Sequence, residues 1–306
     1  MRISTATLYE QGVNAMLDRQ KELAFTQQQV ATGKRITMPS DDVSGTTQSL
    51  ALQQVIDTHQ QFSRNSDVAK SRLQLEEGSI TSTVDILQRV HELAIQAENT
   101  TLDAQSRADI AAEVRQHLDT LMGLANTADA NGEYLFAGHN VGSVPFTAVE
   151  NPVGSGLYDY NYNGDSGQRS VQIGTTRQIA VGDPGSDVFV NVPISGGGTQ
   201  SIFETVEQFA LDLESNTINT NTPTDMTKAI DHLGTKLAAI GARLNAIDSQ
   251  DNQNQNVVLQ GKQTLSDIQD LDYAEAITRL NQQLTGLQAS QQSFAKVQGL
   301  SLFNYI

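Results

Sequence analysis

The 306-residue chain carries 35 Asp and Glu against 19 Lys and Arg, a net charge of −16, with no Cys and no Trp. That balance excludes binding to nucleic acid, or to an anionic membrane through a basic patch. The lack of Cys excludes disulfides, thiolate zinc sites and thiol nucleophiles.

From the start, Met1-Arg2-Ile3-Ser4-Thr5 has none of the apolar core of a cleavable export signal, so none is expected. The first helical segment, 2–32, repeats Tyr9, Met16, Leu23 and Val30 at seven-residue spacing, with Leu8 beside the first of them. Gly33-Lys34 lacks the earlier glycine and the following Ser or Thr of a phosphate-binding loop. Asp41-Asp42, after Pro39-Ser40, has the look of a paired carboxylate, but acidic residues opening a helix are better explained as caps for its free N–H groups.

The stretch 44–131 contains no proline and is expected to be helical, because proline in a helix interior costs about 3 kcal/mol. One apolar stripe there runs Ile80, Val84, Leu87, His91, Ala94, and another runs Ile110, Val114, Leu118, Leu121, Ala125. The next segment, 132–200, holds four of the six prolines, 13 of the 23 glycines and four of the seven tyrosines. Alternation in 156–162 with a turn at Asn163-Gly164, then in 170–173 and in 187–192, predicts short strands. Gly196-Gly197-Gly198 marks a loop.

Proline is absent again over 224–306, where Met226, Ile230, Leu233, Leu237, Ile240, Leu244 and Ile247 form a coiled-coil stripe continuing through Asp251 and Asn254 to Val258. The register is expected to break near Gly261 and to resume as Ile277, Leu280, Leu284, Leu287, Gln291, Phe294. The five histidines form no ligand spacing and are expected as scattered helix-surface imidazoles. No catalytic, cofactor-binding or metal-binding constellation is present in the sequence.

Stripes this narrow cannot be buried by one helix alone. The expected fold is α+β: a long antiparallel helical coiled-coil or bundle rod built from both chain ends, with a small β-rich domain inserted. The expected domains are a terminal coiled-coil assembly domain (1–43 and 264–306), a helical rod domain (44–131 and 201–263) and an outer β-rich domain (132–200). The terminal helices are rich in uncharged amides, which suits packing against other copies of the chain. The expected assembly residues are Leu8, Met16, Leu23, Val30, Leu280, Leu284, Leu287, Phe294, Val297 and Leu302.

Several strings resemble bacterial flagellins. Val30-Ala31-Thr32-Gly33-Lys34-Arg35-Ile36, followed by Pro39-Ser40-Asp41-Asp42-Val43-Ser44-Gly45, is similar to the end of the flagellin first helix, and 87–97 to the helix of its first domain. Ile240-Gly241-Ala242-Arg243-Leu244-Asn245 and Asp272-Tyr273-Ala274-Glu275-Ala276 resemble the matching C-terminal half. Within that family, 1–5, Asn131-Gly132-Glu133-Tyr134-Leu135-Phe136-Ala137-Gly138 and 300–306 are more like the branch at the hook–filament junction than like filament subunits. The β insertion matches no family string.

The resemblance implies a structural adaptor and not an enzyme, joining the hook to the filament, outside the cell on the flagellum and exported without a cleaved signal. It implies a ring of copies, a hook-associated protein on the hook side, flagellin on the filament side and an export chaperone in the cytoplasm. A filament flagellin is the competing expectation, and an enzyme built on the β segment a third. The family also carries a surface for an innate immune receptor. Transferred by motif, it falls on Arg89, Leu93 and Glu113, with His91 where Arg is common.

Overall fold

The computed structural model describes residues 5–99, 101–152 and 156–299. Among these, six α-helices carry most of the chain: α1 (Thr5–Thr32), α2 (Val43–Ala97), α3 (Ala104–Ala125), α4 (Ile202–Glu214), α5 (Thr222–Gln269) and α6 (Tyr273–Gly299). Between α3 and α4 lie three antiparallel two-stranded ribbons. They pair β1 (Phe146–Glu150) with β2 (Tyr158–Tyr162), β3 (Ser170–Gln172) with β4 (Gln178–Ala180), and β5 (Val192–Pro193) with β6 (Thr199–Gln200). The fold is therefore α+β, with long helices from both ends and a small inserted β region. The chain divides into two compact units, Met1–Thr58 with Asn256–Ile306, and His59–Gln255.

In the second unit the heptads of α2 and α5 set the core. Along α2, Ser66, Leu73, Ile80, Leu87 and Ala94 are buried at seven-residue intervals, and so are Ala69, Glu76, Thr83, Val90 and Ala97. The second line of this seam is Thr83 and Val90 where the sequence stripe placed Val84 and His91, which are only partly buried. Along α5, Met226, Leu233, Ile240, Ile247 and Asn254 are all buried to within 1%. The expected α3 stripe, Ile110 to Ala125, is wholly buried. Helix α4 starts at a capping box, in which Ser201 accepts from the Phe203 N–H and Glu204 reaches back to the Ser201 N–H.

The ribbons attach to these helices through aromatic rings. Phe136, Phe146, Phe189 and Phe203 make edge and stacked contacts with centroids 5.0–5.8 Å apart, and Tyr160 and Tyr162 extend the cluster. The strand expected over 187–192 does not form. Ser186–Val190 is a π-helical turn in which the Asn191 N–H donates to Ser186 O at 2.9 Å, and only Val192–Pro193 is strand. The turn buries the adjacent side chains Val188 and Phe189 together, which an alternating strand would send to opposite faces.

In the first unit, α1 ends at Gly33, whose φ of +69° continues the chain in a left-handed conformation that favours glycine. No break occurs at Gly261, because α5 runs unbroken to Gln269. Gly261 extends the heptad of buried positions beyond Asn254, and a Cβ there would lie 2.9 Å from Ile56 Cγ1. Glycine at this position is a close-packing device. Gly261→Val should therefore push α2 and α5 apart and cost about 1–3 kcal/mol, read as a lower denaturation midpoint of the full chain.

Candidate assembly interface

Helices α1 and α6 pack on one another in the first unit. On α1 the inward stripe includes the buried Leu23, Thr26 and Gln29, with Met16 and Val30 half-buried. On α6 it includes Ala276, Leu280, Gln283, Leu287, Ser290 and Phe294. The Tyr9 and Phe294 rings meet at 5.2 Å, and Gly12 leaves room for Phe294, since a Cβ on Gly12 would approach its ring to 2.9 Å.

Of the expected assembly residues, the structure thus brings Met16, Leu23, Val30, Leu280, Leu287 and Phe294 into one seam. Leu284 is not in it: it faces outward, with Ile277 beside it. Leu302 lies outside the described residues, as do the side chains of Leu8 and Val297. Phe294→Ala and Leu287→Ala should each abolish filament attachment while leaving the melting of the second unit unchanged, because that unit contains neither side chain.

The two breaks in helix at this end of the fold are pinned to each other. The Arg35 N–H donates to Gln269 O at 2.7 Å, and the Leu271 N–H to Gly33 O at 3.0 Å. The Arg35 guanidinium also reaches Ile268 O at 2.8 Å and Asp42 at 3.2 Å. Asp41 and Asp42 are caps, as the spacing predicts. The Met38 N–H and then the Thr37 hydroxyl hold the Asp41 carboxyl below the usual carboxylate range. The Gly45 N–H in the first turn of α2, and then Arg35, do the same for Asp42.

A second polar arrangement, in the other unit, has no counterpart in the sequence reading. Arg243 of α5 forks onto both oxygens of Asp183 at 2.8 and 3.0 Å, and the Asp183 N–H donates to Glu76 Oε1 at 2.9 Å. Arg72 contacts Asp129 at 3.3 Å, Glu133 at 3.1 Å and Tyr134 O at 3.1 Å, and Arg169 contacts Glu133 at 2.6 Å. Glu76 occupies a core position of the α2 heptad, and its Oε2 is buried with no hydrogen-bond partner. Burial, and next the Asp183 carboxylate, push the Glu76 carboxyl up to about 8. Three arginines, Arg72, Arg169 and Arg243, then face the three other carboxyl groups, Asp129, Glu133 and Asp183. The signal available in the sequence was the register itself, which puts residue 76 in line with Ala69, Thr83 and Val90.

A polar layer lies farther along the same helix pair. The buried Asn254 donates to Ile173 O at 2.9 Å and pairs with His59 Nδ1 at 3.0 Å, while Ser63 donates to Asp251 at 2.6 Å. A single buried asparagine in a heptad fixes register at some cost in stability. The run 252–256 is accordingly helix, with one amide turned inward.

At the residues transferred by family motif, Arg89 donates to Glu113 at 2.9 Å and to Glu92 at 3.1 Å; Arg89 and Glu92 are exposed and Glu113 is half-buried. Glu113 chiefly, then Glu92, raises the Arg89 guanidinium further above its usual range. Leu93 is 2% exposed and packs in the core, so it contributes nothing to an outward surface.

Residues 3–141 match the model of the bacterial flagellin N-terminal helical region, and residues 224–306 that of the C-terminal helical region. The flagellar hook-associated protein 3 of Escherichia coli (strain K12) is 27% identical over 99% of both chains. Flagellin FlaB1 of Treponema pallidum is 32% identical, over 51% of this chain and 53% of its own. Among solved structures, a flagellar hook-associated protein-3 from Legionella pneumophila superposes with a TM-score of 0.65 at 22% identity, covering 71% of this chain and 98% of that one.

Proposed function

The chain belongs to the bacterial flagellin family, and on that premise we propose that it is the structural adaptor joining the flagellar hook to the flagellin filament. One observation carries the choice over a filament subunit. The alignment to a hook-associated protein runs end to end, through the β insertion, whereas the alignment to the flagellin stops at about half of each chain.

The adaptor works by self-packing of the terminal helices into a ring, with a hook-associated protein below and flagellin above. It reaches the cell exterior through the flagellar export apparatus, and a cytoplasmic chaperone covers its apolar terminal stripe until then. Its activity is mechanical, and no bond-making chemistry is assigned to it. Deleting the gene should leave hooks without filaments and flagellin monomers in the medium. A deletion strain that releases no flagellin overturns the adaptor role, because it is what loss of the filament subunit would give.

The Arg89–Glu113 pair, with Arg89 exposed, supports a second, independent role as part of a surface recognised by an innate immune receptor, without Leu93. A paired guanidinium and carboxylate can re-pair with a partner's charges. Purified monomer should activate a receptor reporter, and Arg89→Ala should weaken the signal without changing the fold. Equal signals from both would end that role.

A further inference from the structure

Glu76 is 1% exposed, and of its two oxygens only Oε1 has a partner, the Asp183 N–H, 107 residues away in sequence. Asp183 belongs to the stretch 178–185, which runs from β4 to the π-helical turn. Besides Glu76, four attachments hold that stretch. Strand β4 pairs with the three residues of β3, and the Val181 N–H donates to Arg169 O. The Gly185 N–H donates to Phe136 O, and Asp183 accepts the Arg243 fork and the Gln168 amide. The aromatic cluster of Phe136, Phe146, Phe189 and Phe203 lies outside 178–185 and keeps the rest of the insertion docked.

Three charged groups face the Glu76 carboxyl: Arg72 on its own helix, Asp183 on the insertion and Arg243 on α5. Asp129 and Glu133 stand beyond Arg72, and Arg169 beyond Glu133. With Glu76 neutral, three arginines meet three other carboxyl groups. Ionised, it would add a fourth negative charge next to Asp183, with one hydrogen bond to support it. A buried charge so poorly paired is strongly disfavoured.

Solvent has a place beside this carboxyl. A Cβ on Gly182 would lie 3.6 Å from Leu135 O, 3.8 Å from Arg72 Nε and 3.9 Å from Glu76 Oε2, so glycine leaves that point open. Arg72, Leu135, Gly182 and Asp183 also wall a cavity of about 10 Å³, completed by Gly138, Gly167 and Arg169. That is about the space of one water. Gly167 and Arg169 are half-buried, which puts the cavity just under the surface.

We propose that Glu76 is a proton-operated latch: its neutral carboxyl holds 178–185 against α2 and α5, and its ionisation is accommodated by that stretch lifting off the helices. In the closed form the carboxyl keeps its proton up to about 8, and once lifted and solvated it loses it near 4.5. Lifting therefore releases one proton. Its equilibrium constant rises roughly tenfold per pH unit between those limits, roughly 400-fold from pH 5 to pH 8, and levels off above. The closed form is favoured by acid.

Residue-resolved hydrogen exchange of the purified full chain, from pH 5 to 8, reads the latch. Once hydroxide catalysis is divided out, opening at the Asp183 amide should increase by roughly tenfold per pH unit. At each pH that amide should also open more often than the buried amides of α3, which mark global unfolding. In Glu76→Gln the pH dependence should vanish. Opening at Asp183 that ignores pH in wild type overturns the latch. So does opening no more frequent than in α3, which would assign the proton to global unfolding alone. A rise that persists in Glu76→Gln overturns it as well, by assigning the proton to another group. If Glu76→Gln does not fold, the two wild-type comparisons decide by themselves.

Discussion

Arg243→Ala should destabilise the second unit by about 3–5 kcal/mol, the cost of leaving a buried charge without its partner. The guanidinium forks onto both oxygens of Asp183 at 2.8 and 3.0 Å, and the Asp183 side chain is only 6% exposed. With Arg243 gone, Asp183 keeps the Gln168 amide at 2.7 Å and sits beside Glu76, an acid. Chemical denaturation of the purified chain measures the effect. Arg243→Lys should fall between wild type and Arg243→Ala, because an ammonium keeps the charge and loses the fork. An Arg243→Ala variant as stable as wild type would show that the pair contributes nothing net.

Stability should also fall as pH rises from about 4.5 to about 8, through Glu76. In the folded chain this carboxyl keeps its proton up to about 8, because burial and then Asp183 oppose ionisation. In the unfolded chain it loses the proton near 4.5, the ordinary value for Glu. Between those limits folding takes up one proton, so each pH unit removes roughly 1.4 kcal/mol of stability, and outside them the contribution is flat. Glu76→Gln removes this slope while keeping an oxygen to accept the Asp183 N–H, and should be more stable than wild type at pH 8. The measurement is the denaturation midpoint of both proteins from pH 5 to 9. Parallel curves would overturn the account.

The parts of this fold legible in the sequence are those where one pattern had one meaning. The α3 stripe from Ile110 to Ala125 is buried throughout, and in the α5 stripe Met226, Leu233, Ile240 and Ile247 are buried with Ile230, Leu237 and Leu244 partly so, because seven-residue and helical spacing leave little choice of face. The stripe Asp187–Val192 misled, since valines at alternate positions fit a strand, while Pro184 O, accepting the Asp187 and Val188 N–H groups, starts a helical turn instead. Gly261 misled in the opposite way: an isolated glycine suggests a break, but here it lets Ile56 approach.

Glu76 was hidden because a lone acid in a heptad is ordinarily placed on the surface. Its buried setting depends on Asp183 of the β insertion and Arg243 of α5, which lie far from it in sequence, together with Arg72 on its own helix. The terminal seam was half legible. Spacing alone could not tell the inward Leu280 and Leu287 from the outward Ile277 and Leu284, which lie on adjoining strips of one helix.

The ladder joining Gly33–Arg35 to Gln269–Leu271 has a consequence for how this gene can change. From that clasp α1 runs back over 28 residues and α6 forward over 27, each about 40 Å of helix. The two helices start level, and so they end level. A codon insertion in one would leave an unmatched overhang and shift every knob beyond it out of its hole. Length variation in the terminal pair is therefore expected only as matched edits in α1 and α6, in multiples of seven codons. Single-ended edits belong in the segment between α3 and α4, which the clasp leaves unmeasured.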